Sequence, residues 1–283
     1  MAYAAPFRVA ILQRRRERSV WVAIFACWAG MNLVLVYGPE WWSLLFNPRI
    51  KATWQARWDY KSCEWVVPLE SDGAGRKLAY RLLEPLNQNH PQPLLVFLHG
   101  SGDRGDDNTT QLNSLPSQLA RSEWRKICPG YILAPQCPAG THWHNELPTL
   151  ISLIDAWRND PRIDQRRVYL TGLSMGGYGA WHLATAKPEW FAAVVPICGG
   201  GDPASAPRLT KTPIWAIHGD ADEVVPVDET RTMIEAIRSA GGHPLYTELP
   251  GVGHDSWSQT YAETEGVLPW AYQQLNLGLH GGR

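Results

Sequence analysis

The run Gly172-Leu173-Ser174-Met175-Gly176, with a further Gly177, carries the strongest chemical signal in the chain. A serine on a tight turn between a strand and a helix projects its hydroxyl clear of the sheet, and glycines on either side avoid collision with neighbouring backbone. That hydroxyl becomes a nucleophile only when a base takes its proton. His254 is the candidate base. It lies in the Gly-rich run Gly251-Val252-Gly253-His254-Asp255, just after the last predicted strand. The imidazole needs an acid to orient it, and Asp220, Asp222 and Glu223 all lie in His218-Gly219-Asp220-Ala221-Asp222-Glu223-Val224-Val225-Pro226. A serine, an acid and a histidine in that order suit acyl transfer through a covalent intermediate.

These residues need elements to hold them. Val168 to Leu170 lies in a predicted strand over 167–170 that runs into the turn, and Ser174 to Ala186 reads as a helix. Pro93 to Leu98, PLLVFL, is a short apolar run suited to a central strand covered on both faces. Residues 64–69 and 76–83 read as an antiparallel pair joined by a turn at 71–75. Further strands are predicted at 131–134, 191–197, 214–217 and 245–249, and further helices at 108–120, 147–157 and 228–240. Strands alternating with helices predict an α/β fold with a mostly parallel sheet and helices on both faces.

The first 60 residues differ. Arg8, Arg14, Arg15, Arg16 and Arg18 precede Val20 to Tyr37, a stretch without charge. As a helix it would be roughly 27 Å long, enough to cross most of a bilayer core. Trp21 and Trp28 in its first half, and Tyr37, Trp41 and Trp42 at its far end, suit the lipid interface. The expectation is an N-terminal apolar helix that acts as an uncleaved signal anchor, with an aromatic, basic juxtamembrane segment, over residues 1–60. A catalytic domain then follows over 61–283. The arginine bias predicts a cytoplasmic N-terminus and a catalytic domain on the periplasmic or other extracytoplasmic side. A buried N-terminal helix of a soluble protein and a cleaved signal of a secreted one are the competing readings.

From about residue 64 to 276 the sequence resembles the α/β-hydrolase esterases of the feruloyl-esterase, acetylxylan-esterase, polyhydroxybutyrate-depolymerase-like and dienelactone-hydrolase-like group. The matching pieces are LHGSGDRG at 98–105, LAPQCP at 133–138, GLSMGGYGAW at 172–181, HGDADEVVP at 218–226 and GVGHDSW at 251–257. The resemblance implies the α/β-hydrolase fold and a Ser-His-Asp triad of Ser174, His254 and Asp222, the last on the pattern H-G-x-x-D-x-x-V-P. It implies an oxyanion hole from the amides of Met175 and Ser101, with Gly102 as the rival for the second. Trp143 stands where related esterases often carry a tryptophan, as a wall for substrate or as packing under the loop. His218 reads as a structural histidine, Trp181 as core, and Asp103 with Arg104 as an ion pair bracing the oxyanion loop. Dienelactone hydrolases use a Cys nucleophile where this chain has Ser174.

The implied reaction is cleavage of a small carboxylic ester, with no cofactor and no metal. His142 and His144 form an H-x-H pair without a third ligand evident in sequence. A formal net charge of -1 argues against nucleic acid as a partner. Five scattered cysteines do not form a disulfide framework. A serine acyltransferase or peptidase on the same scaffold, and a catalytically silent membrane-tethered binding module, are the alternatives. The absence of a long insertion between Phe191 and Lys211 favours an esterase over an interfacial lipase.

Overall fold

A computed structural model describes residues 56–57, 59–67 and 76–280. The expected anchor, the juxtamembrane segment up to residue 55 and the turn at 71–75 lie outside them. Among the described residues no helix is long and apolar enough to cross a membrane. The packed body already includes Ala56 and Tyr60, both buried, with the Tyr60 hydroxyl donating to the Pro116 carbonyl at 3.2 Å.

Among the described residues eight strands form one sheet: β1 (Lys61–Val67), β2 (Arg76–Leu83), β3 (Gln92–Leu98), β4 (Tyr131–Pro135), β5 (Ile163–Leu173), β6 (Ala193–Ile197), β7 (Trp215–Gly219) and β8 (Leu245–Leu249). Their order is β1-β2-β4-β3-β5-β6-β7-β8. β2 pairs antiparallel with β1 and with β4, and the other pairings are parallel. β3 is buried along its whole length. Leu94, Val96 and Leu98 face one core, and Leu95 and Phe97 face the other, as the two-residue period of a strand dictates.

The helices are α1 (Leu115–Leu119), α2 (Trp124–Ile127), α3 (Leu147–Arg158), α4 (Met175–Ala186), α5 (Asp228–Ser239), α6 (Trp257–Ala262) and α7 (Val267–Gln273). The first core is built from α3, α4 and α5, and the second from α1, α2, α6 and α7. β3 sits between β4 and β5, so the chain runs outward in opposite directions from it. The crevice at the carboxyl ends of β3 and β5 is therefore the topological switch point, where ligands bind in open α/β sheets.

The single helix expected over 108–120 is broken into a 3-10 turn, Thr110–Leu112, and α1. Asp107 captures the amides of Thr109 at 2.9 Å and Thr110 at 3.1 Å, which diverts the first turn. Asn108 adopts φ 46° and spends its carboxamide on Ser62 Oγ and on the Cys63 and Tyr80 carbonyls. Pro116 has no N–H to continue an upstream ladder.

Candidate active site

β5 delivers Leu173 to the crevice, Ser174 turns the chain at φ 53° and ψ −120°, and α4 begins at the next residue. Positive φ at a non-glycine residue is strained and persists only where the surroundings enforce it. Here the Ser174 amide donates to the Ile197 carbonyl at 3.0 Å and lies 3.3 Å from Cys198 Sγ. Two glycines make the turn fit. A Cβ on Gly172 would lie 2.2 Å from the Gly176 carbonyl oxygen, and one on Gly176 would lie 1.9 Å from that of Leu98. The helix therefore starts directly against the end of β3.

The three residues expected to work together converge. Ser174 Oγ lies 2.9 Å from His254 Nε2, and His254 Nδ1 lies 2.7 Å from Asp222 Oδ2. The serine hydroxyl donates to Nε2, and Nδ1–H donates to the carboxylate. His254 is 21% exposed along its side chain and Asp222 is 0% exposed, so the acid is sealed behind the base. Asp222 Oδ1 accepts the amides of Val224 and Val225, each at 2.9 Å. Burial alone would raise the Asp222 pKa, but the bonds from His254 and these two amides outweigh it and hold the carboxyl below its ordinary value. Asp220 instead accepts the Gly251 amide at 2.6 Å and joins the acid loop to the histidine loop. The Ala221 amide donates to the Val252 carbonyl at 3.0 Å across the same seam. Trp257 packs its ring edge-on to His254, with centroids 5.2 Å apart.

A pocket of about 300 Å³ opens beside Ser174 and is lined by Ser101, Met175, Trp143, Tyr178, His182 and Val225, among others. Ser101 and Met175 thus flank the nucleophile. As the first residue of α4, Met175 has an amide without an intrahelical acceptor, at the positive end of the helix dipole. Trp143 is 1% exposed. It packs against Gly179 and donates from Nε1 to the His99 carbonyl at 3.0 Å, so it braces the loop that carries Ser101 while also lining the pocket. Trp181 is core, fully buried.

Among the described residues, Asp103 and Arg104 do not form the expected ion pair. Arg104 braces the loop through carbonyls instead, from Nε to Ser101 at 3.0 Å and from a terminal nitrogen to Thr141 at 3.2 Å. Asp103 turns toward Asn113, and burial lifts its pKa to about 6. A carboxyl that half-titrates near pH 6 is a poor fixed counter-ion.

Three features were missed in sequence. Cys198 sits beneath the nucleophile with its thiol pushed up to about 12 by burial, and it takes φ 40° after a buried strand. His182, one turn along α4 from Tyr178, brings a third imidazole to the H-x-H pair. His142 and His144 stack at 5.6 Å and His182 tilts over His144 at 6.2 Å. Only a helical count from the elbow could have signalled it. His99 is the third: wholly buried, it donates from Nδ1 to the Gly100 carbonyl at 2.7 Å and accepts the Cys137 amide on Nε2 at 2.9 Å.

Among the described residues, Cys198, Asp222 and His254 are a set of metal-ligand types with ligand atoms within 4.8 Å of one another. Asp222 and His254 are already bonded to each other, and the thiol meets the Ser174 amide. Cys63, Cys128, Cys137 and Cys198 are free thiols.

The His99 geometry has a pH consequence. A proton on Nε2 would break the Cys137 bond, and burial lowers the His99 pKa to about 4. The unfolded chain binds that proton at the ordinary histidine value, so stability falls as pH drops from about 6.5 to about 4, by at most about 3 kcal/mol. Asp103 acts oppositely, since a raised carboxyl pKa favours the folded state below pH 6. The His99 contribution is therefore read as a difference. Between pH 7 and 4.5 the urea midpoint of the wild type should fall more than that of His99→Asn; equal slopes would refute the assignment.

In fold this chain is an α/β hydrolase, and in sequence it resembles the feruloyl-, acetylxylan- and related esterases of that fold. A family described as Phospholipase/Carboxylesterase matches residues 139–266. A bifunctional acetylxylan esterase/xylanase of Neocallimastix patriciarum is 30% identical over 173 residues, which cover 59% of this chain and 24% of that protein. A protein named "Probable feruloyl esterase C", from Aspergillus flavus, is 28% identical over 65% of this chain and 69% of its own length. The solved structure of a thermostable esterase matches with a TM-score of 0.69 and 34% identity, over 77% of this chain and 63% of that one. The chain thus spans about a quarter of the xylanase-linked relative and less than two thirds of the thermostable esterase.

Proposed function

We propose that the protein is a serine hydrolase that cleaves carboxylic esters through an acyl-enzyme intermediate. The observation that carries this reading is the continuous chain of bonds from Ser174 Oγ to His254 Nε2 at 2.9 Å and from His254 Nδ1 to Asp222 Oδ2 at 2.7 Å. The similarity to proteins named as esterases supports it.

Ser174 Oγ attacks the ester carbonyl carbon while His254 Nε2 takes its proton. Asp222 stabilises the resulting imidazolium and holds its ring. The amides of Met175 and Ser101 receive the oxyanion as charge develops on the carbonyl oxygen. The tetrahedral species collapses as Nε2–H protonates the leaving alcohol, which departs and leaves the acyl group on Ser174. Water then repeats the sequence, with Nε2 as base in attack and as acid in release of the serine.

The pocket's volume of about 300 Å³ fits a small acyl or aryl group. The segment between β6 and β7 is a 3-10 stretch, Pro203–Leu209, with Ala206 and Leu209 buried in the core. That suits short-chain and aryl esters better than aggregated lipid. An acyltransferase would share the first half-reaction and differ only in the acceptor.

A fluorophosphonate reagent tests the nucleophile directly. Intact-mass analysis should show one adduct, located at Ser174 by peptide mapping, and a panel of p-nitrophenyl, feruloyl and acetylated-sugar esters should show turnover that falls with acyl length. An adduct elsewhere, or no turnover of any ester by labelled-competent enzyme, would overturn the reading.

A further inference from the structure

His218 lies next to the end of β7 and has no part in the relay described above. Its side chain is 0% exposed. Nε2 lies 3.0 Å from the Val225 carbonyl oxygen and 3.2 Å from Asp222 Oδ2. A carbonyl and an ionised carboxylate can only accept, so Nε2 carries a proton whatever the charge of the ring. At the other edge Nδ1 lies 2.8 Å from Thr230 Oγ1, which reaches the Gly199 carbonyl at 2.6 Å. The ring is thereby wedged between α5, the end of β6 and the acid loop.

Two backbone amides hold Asp222 Oδ1, and His254 bonds Oδ2 at 2.7 Å. His218 brings its one Nε2–H, bonded to the Val225 carbonyl at 3.0 Å, within 3.2 Å of the same Oδ2. The amides that hold Oδ1 belong to the acid loop itself, so without His218 the Oδ2 side would be met by His254 alone. His254 is on a loop and partly exposed, whereas His218 is on a strand and sealed. The second imidazole ties the acid to the rigid sheet.

We propose that His218 is a positioning residue of the triad, whose Nε2–H fixes Asp222 Oδ2 at the place from which it orients His254. The proposal rests on the triad reading above. The ionisable groups around His218 are Asp222 on the acid loop, His254 on the histidine loop and Glu248 on β8. Thr230 on α5 is its uncharged polar neighbour. A role confined to packing would be met by the Thr230 and Val225 contacts alone. Positioning requires the donor on Asp222.

Two amides separate these roles. A glutamine's side-chain nitrogen reaches the place of Nε2, whereas an asparagine's reaches only that of Nδ1. In His218→Asn, kcat for a short p-nitrophenyl ester should fall roughly 10–100-fold, the cost of an ångström-scale misplacement, with KM within about twofold. The acid limb of kcat/KM should move to higher pH, because Asp222 then gives its charge to His254 alone. His218→Gln should recover most of kcat and return the limb. Melting temperatures of both variants are measured alongside. Activity lost by both in proportion to lost folded protein, with the limb unmoved, would overturn the proposal, as would an Asn variant as active as the wild type.

The unmutated enzyme offers a second readout. In protein labelled with ¹⁵N-histidine, His218 Nε2 should stay protonated from pH 5 to 9, and its resonance should shift in Asp222→Asn. An unprotonated Nε2 in that range would overturn the proposal even if neither His218 variant folds. Failure of the triad itself has a different signature, turnover retained by Ser174→Ala, which would leave His218 with nothing to position.

Discussion

Ser174→Ala and His254→Ala should each lower kcat for a short-chain ester by roughly 10⁴–10⁶-fold, and the double variant should be no slower than either alone. Without Oγ no acyl-enzyme forms, and the histidine has no proton to take. Without the imidazole, Oγ keeps its proton and attacks poorly. Each change disables the same step, so the losses do not add. The variants should remain folded. The Ser174 turn is held by its amide bond to Ile197 and by the glycines around it, neither of which needs the hydroxyl. Residual catalysis over water would come from the oxyanion amides and from binding. The measurement is single-turnover and steady-state kinetics on purified variants, with melting temperature as a control. A Ser174→Ala enzyme that retained most of its turnover would remove the nucleophile from the mechanism, and strictly multiplicative losses in the double variant would show two independent functions.

The parts of the site that were legible in sequence are those that a short segment specifies. The elbow needs small residues at fixed offsets because Gly172 and Gly176 nest against backbone, and that requirement is written in five consecutive positions. PLLVFL had to be a doubly covered strand, and β3 is buried throughout. His254 and Asp222 stand in short Gly- and Asp-rich runs after strands, where the resemblance located them. What stayed hidden depends on partners distant in the chain. The short helices α1, α2, α6 and α7 span too few turns to show a hydrophobic period, and packing rather than propensity decides them. Arg104 was paired with its neighbour Asp103, yet it bonds Thr141, which another loop supplies. His182 meets His144 only because α4 packs behind the loop carrying Trp143. His218 looked like a core histidine and is buried like one. Its Nε2 comes within 3.2 Å of Asp222 Oδ2 only once the acid loop folds back over the end of β7.

Asp222→Asn should reduce kcat by about 10⁴-fold while leaving the site's shape nearly intact, by analogy with the same change in other serine triads. The reason lies in which oxygen is replaced. Oδ1 accepts two backbone amides, so in the variant the carbonyl oxygen must stay there, and the new NH₂ must take the place of Oδ2. That NH₂ then faces His254 Nδ1 at the 2.7 Å contact. Two donors cannot share a bond, so His254 moves its proton to Nε2 and accepts from the amide on Nδ1. Nε2 now points an N–H at Ser174 Oγ, where a free lone pair is needed, and the serine proton has no base. The His218 Nε2–H also meets the NH₂, so the buried carboxamide is opposed on two sides. Melting temperature should therefore fall together with rate, whereas KM for a small ester should change little because the pocket residues are untouched. Labelled histidine resolves the two protonation patterns by NMR, with Nδ1–H in the wild type and Nε2–H in the variant. An Asp222→Asn enzyme with wild-type turnover, or one with Nδ1 still protonated at neutral pH, would show that Asp222 does not set the tautomer, and would return the acid's role to Asp220 or Glu223.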